Sequence, residues 1–134
     1  MEVGTLKLLT RFRNSCETSE GHQDADLRTH YYRANKDALF LTIEGILKKR
    51  KGTVITDSSK ERGEIAADLS EPFNSFLIAT IVTVRPFETA VDFHLSTERF
   101  MLLGNYPALK KEILDFYKEL DKAHTYTGAG KNAE

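Results

Sequence analysis

The chain has 134 residues, 19 of them basic and 20 acidic, for a formal net charge of −1. With 40% hydrophobic and 29% charged residues, it reads as one globular domain and excludes a disordered tail or a membrane-embedded chain. The balanced charge argues against a nucleic-acid binder, and the single cysteine, Cys16, excludes an internal disulfide framework.

In chain order, the first stretch places Leu6, Leu9 and Phe12, with Leu8, at spacings that suit a short amphipathic helix. SCETSEGHQDAD (15–26) is polar, and between Glu17 and Asp26 it holds four acids and no Lys or Arg. It reads as a solvated acidic connector without the regular spacing of a calcium loop. LRTHYYR (27–33) reads as a strand, with Tyr31 and Tyr32 supplying β-propensity. Asn35 is then a good N-cap for a helix running to about Lys51. Leu39, Phe40, Ile43, Ile46 and Leu47 form its apolar face, and Gly52 closes it. Asp37 near its start and the run KKRK (48–51) at its end suit the helix dipole.

Four strands are expected next: 53–57, 64–70, 75–85 and 88–98. Ile65, Ala67 and Leu69 alternate with polar or small neighbours, as do Val91, Phe93 and Leu95. The 75–85 strand is apolar on both sides, so it is expected at the centre, covered above and below. After the greasy connector RFMLLGNY (99–106), Asn105 and Pro107 signal a second helix with Leu109, Ile113, Phe116 and Leu120 along one side. The last stretch, 125–134, is small and polar and is expected to fray.

The expected fold is therefore α+β, with a mostly antiparallel sheet of about five strands and two main helices on one face, in the order (α)βαββββα. Residues 1–124 form a single domain, of which 1–26 are an N-terminal segment and acidic loop. Residues 125–134 form a flexible C-terminal tail.

Candidate chemistry is sparse. Asp92, His94 and Ser96 share one face of a strand, and Glu98 continues the row. Positions two apart along a strand lie roughly 6.5–7 Å from each other, so the four line a patch without bonding directly. An acid–base site on His94 is one reading, and a solvent-facing polar surface is the stronger one, since no nucleophile elbow or oxyanion loop accompanies it. His30 could share a sheet face with His94. No zinc spacing exists among the histidines, and nothing cationic lies near Cys16 to activate it. No catalytic residue, metal ligand or cofactor site is assigned. More suggestive is the apolar connector, where Phe100, Met101, Leu102, Leu103 and Tyr106 form either the end of the core or a contact surface.

NSCETSE (14–20), LRTHYYRANKDALFLTIEGIL (27–47), VITDSSKERGEIAADL (54–69), VDFHLSTE (91–98) and LGNYPALKKEILDFYKEL (103–120), read in order, resemble a bacterial family known as domain of unknown function 1499. The resemblance spans nearly the whole chain at the level of pattern, and it implies a small α+β domain without an assigned reaction. The family's Asp-rich and Arg-Ser-rich strand motifs are replaced here by ATIVTVR and DFHLSTE, so no polar site carries over. The order of elements is also loosely similar to that of helix-grip proteins, which hold a helix over an apolar cavity.

The functional expectation is a non-enzymatic binding domain that meets a protein partner, or a second copy of itself, through its apolar surface. The alternative is a carrier or sensor of a small apolar ligand held between the sheet and the C-terminal helix. No opening apolar run reads as a signal peptide or a transmembrane segment, so a cytoplasmic location is expected.

Overall fold

The structure, a computed structural model, describes residues 13–130. The helix expected over the first twelve residues lies outside the described residues. Seven strands and two α-helices follow: β1 (Ser15–Glu17), β2 (His30–Tyr32), α1 (Lys36–Lys49), β3 (Thr53–Ser59), β4 (Glu64–Leu69), β5 (Ser75–Arg85), β6 (Glu88–Ser96), α2 (Tyr106–Ala123) and β7 (Tyr126–Ala129). They form one antiparallel sheet in the order β3-β4-β5-β6-β2-β7, with β1 also paired to β6. The architecture is α+β.

Both helices pack on one face of the sheet. Ile65, Ala67 and Leu69 of β4, Leu77, Ala79 and Ile81 of β5, and Val91, Phe93 and Leu95 of β6 are all buried on that side. Leu39, Phe40, Ile43 and Leu47 of α1 and Leu109, Ile113, Phe116 and Leu120 of α2 close over them. Each such side chain contributes about 1.5–3 kcal/mol on burial. Phe93 packs against Phe116 and Tyr117 at ring-centroid distances of 5.5 and 5.0 Å, so rings fill the space between β6 and α2. Asn35 caps α1 by accepting the Ala38 N–H at 2.8 Å. Arg50 follows the last turn, pairs with the buried Glu112 of α2 and lies over the Phe116 ring at 4.8 Å.

Three expectations are corrected. The sheet has seven strands, because β1 and β7 are only three and four residues long, too short for alternation to show. They exist because the edges of β6 and β2 offer free backbone groups. The segment over 125–134 is therefore not a fraying tail throughout: β7 pairs His30 with Ala129 and Tyr31 with Gly128, while residues 131–134 lie outside the described residues. Finally, β5 is central but is roofed on one side only by the described helices. On its other face Phe76 and Val82 are exposed and Ile78 is partly so.

Candidate functional site

The four polar residues singled out in the sequence stand on or beside the open sheet face. Cross-strand pairing sets Asp92 opposite Thr80, His94 opposite Ile78 and Ser96 opposite Phe76, so the three side chains share the face away from the helices. Strand β6 ends at Ser96. Glu98 lies beyond it, beside Ser96, Phe76 and Asn14, in a shallow recess of about 430 Å3. His30 does not join them. It pairs with Val91 and so faces the helices, opposite in direction to His94.

Asp92 and His94 form no relay. One carboxylate oxygen of Asp92 accepts two hydrogen bonds, from the Thr18 and Thr29 hydroxyls, each at 2.6 Å. Among the described residues, His94 Nδ1 is buried without a hydrogen-bond partner. Burial pushes the Asp92 carboxyl above the usual carboxylate range, against the pull of the two threonine hydroxyls. The folded protein therefore holds this proton more tightly than the unfolded chain, and ionisation costs stability. That cost is absent below the ordinary value of about 3.9 and grows as pH rises through the higher folded-state value. Asp92→Asn keeps an oxygen for both threonines. It should raise the urea midpoint at pH ~7 and leave it unchanged at pH ~3.

The threonines owe their position to a gap in the sheet. Strands β1 and β2 occupy successive stretches of the same edge of β6, β1 against His94–Ser96 and β2 against Thr89–Val91. Between them the Thr18 N–H donates to the Phe93 carbonyl, and Thr18 Oγ1 accepts the Phe93 N–H, both at 3.0 Å. The Tyr117 hydroxyl of α2 donates to the Val91 carbonyl at 2.8 Å and lies 3.1 Å from Thr18 Oγ1. A polar chain thus threads the sheet, from Tyr117 on the helix side to Asp92 on the open side.

A second cluster, which the sequence did not single out, lies between β2, β7 and α2. The His30 ring stacks on Tyr117 at 3.6 Å and 6° and tilts against Tyr126 at 4.7 Å. Asp121 accepts the Tyr32 hydroxyl at 2.6 Å and lies 3.4 Å from His30 Nδ1. Burial holds His30 below the ordinary histidine value, although Asp121 opposes the shift. Stacking and burial make this a docking site for β7 on α2. Its residues come from positions 30–32, 117–121 and 126, too far apart in the chain for any local spacing to show them.

Cys16 is buried, and burial pushes its thiol up, so it is not an activated nucleophile. Among the described residues no group of three or more His, Cys, Asp or Glu could hold a metal ion, and no helix is long and apolar enough to cross a membrane.

The apolar connector divides in two. Tyr106 opens α2 and packs partly against the core. Phe100, Met101, Leu102 and Leu103 are 84, 41, 78 and 67% exposed. Their loop is clamped at its base. The buried Asn105 side chain accepts from Arg99 Nε at 2.8 Å and donates to the Arg99 carbonyl at 2.8 Å and to Asn14 Oδ1 at 3.1 Å. The Arg99 guanidinium lies 3.8 Å from the Phe73 ring centroid. Asn105 makes no side-chain cap for α2, because its amide is spent on this clamp.

No family model and no curated protein matches the chain, and the likeness to domain of unknown function 1499 rests on the sequence pattern alone.

Proposed function

We propose that the protein is a non-enzymatic interaction domain that associates with a second copy of itself through the 100–103 loop and the adjoining open sheet face. The observation that carries this reading is the loop: four consecutive large apolar side chains point into solvent from a base held by Asn105 and Arg99. An apolar loop of this kind is costly to leave wet, and contiguous exposed apolar surface marks contacts. A stable dimer buries about 800 Å2 on each partner, more than a four-residue loop presents. The row Phe76, Ile78 and Val82 extends the surface along β5, and the recess at Ser96 and Glu98 lies where that row meets the chain entering the loop. Loop and sheet face are thus both present on every copy, as an isologous contact requires.

The double variant Phe100→Ser/Leu102→Ser tests this. Both side chains are exposed, so the thermal midpoint should stay within about 0.5 kcal/mol of the parent in stability terms. Sedimentation velocity should show a concentration-dependent dimer for the parent and a monomer for the variant. A parent that stays monomeric at about 1 mM would exclude self-association of useful strength.

A further inference from the structure

A groove opens between α1 and α2, on the side of the helices away from the sheet. Its volume is about 710 Å3, and Leu41, Gly45, Ile46 and Phe116 line it. Leu41 is 55% exposed, and Ile46, expected in the core, is only partly buried.

Gly45 is the informative residue. It sits in the middle of α1, where glycine costs about 0.5–1 kcal/mol relative to alanine. Internal packing does not explain it, since a Cβ built at Gly45 meets nothing within 4 Å. A missing side chain on the floor of a groove lets another chain approach the helix backbone closely.

The charges at the rim say what kind of chain. The two lining acids are already engaged, Asp115 with Lys111 at 3.1 Å and Glu119 with Lys122 at 3.7 Å. Arg50 is held by Glu112. Lys49 and Lys118 also line the groove, and among the described residues neither makes an ion pair. The groove therefore presents unmatched positive charge beside an apolar floor. Two copies of it placed face to face would set these lysines against each other, which disfavours a second copy as the occupant.

We infer that this groove receives an acidic amphipathic helix of a partner protein. Apolar side chains at i, i+3, i+4 and i+7 would lie over Gly45, and flanking carboxylates would meet Lys49 and Lys118. The 14 residues of α1 span about 21 Å, so an occupant of about 14 residues fills its length. This surface is separate from the 100–103 loop.

The test uses the full chain and two fluorescent peptides of about 14 residues. One has leucine anchors with glutamate elsewhere, and the other has the same anchors with lysine. Fluorescence anisotropy should show binding of the glutamate peptide, weakened by salt, and none of the lysine peptide. Gly45→Gln should raise the thermal midpoint, because glutamine favours helix, and yet weaken peptide binding at least about tenfold. Lys49→Glu/Lys118→Glu should weaken it comparably, and Phe100→Ser/Leu102→Ser should leave it unchanged. Equal binding of the lysine peptide, no binding of the glutamate peptide, or unchanged affinity in a folded Gly45→Gln variant would overturn the inference. So would loss of self-association in Gly45→Gln, which would make the occupant a second copy.

Discussion

Ile113→Asp should not yield a folded protein. Ile113 is 0% exposed and sits midway along α2 in the core that the two helices share with the sheet. The substitution forfeits about 1.5–3 kcal/mol of burial and adds a carboxylate with no partner in an apolar setting. The sum exceeds about 4–5 kcal/mol, a large part of the roughly 5–15 kcal/mol that a domain of this size holds in reserve. Far-UV circular dichroism of the variant should show no cooperative urea transition. Lys111→Gln, on the exposed side of the same helix, should behave as the parent does. A parent-like transition for Ile113→Asp would mean that α2 does not lie on the sheet.

Thr18→Val is the second large effect, and it separates the polar chain through the sheet from ordinary core packing. Valine matches threonine in shape, so the loss is the hydroxyl alone. That hydroxyl donates to Asp92 at 2.6 Å, accepts the Phe93 N–H at 3.0 Å and meets the Tyr117 hydroxyl at 3.1 Å. Leaving buried partners unsatisfied costs about 1–3 kcal/mol each, so a loss of roughly 2–4 kcal/mol is expected. Thr29→Val removes one donor to Asp92, which keeps the other, and should cost about 1 kcal/mol. Urea unfolding of both variants gives the ranking. Equal losses would show that the chain through the sheet does not act as a connected unit.

What the sequence made legible follows from range. Helix α1 was readable because its cap at Asn35, its apolar stripe and its basic last turn lie within 16 residues. The β4–β6 meander was readable because alternation and short turns are local signals. The paired threonines were not, since Thr18 and Thr29 meet Asp92 across 74 and 63 residues and depend on two short strands sharing one edge of β6. The same holds for β7: Tyr126–Ala129 is too short to show alternation, and it joins the sheet by pairing with the distant β2. The 75–85 run shows a different limit. Apolar residues on both sides established a strand in mid-sheet, but not whether a second layer covers it.

Among the described residues, β3 forms one outer edge of the sheet. Strand β3 carries an irregularity between Ile55 and Asp57, and nearby Arg62 bridges Asp57 at 3.0 Å and Glu64 at 3.4 Å. A bend and a cluster of charges deny an incoming strand the flat, uncharged ladder that it needs for templated growth. A molecule that leaves Phe76, Val82 and Phe100 wet would otherwise risk stacking into fibrils. Along β3 that edge is blunted, so the self-association proposed above would favour a closed, finite assembly over a growing one.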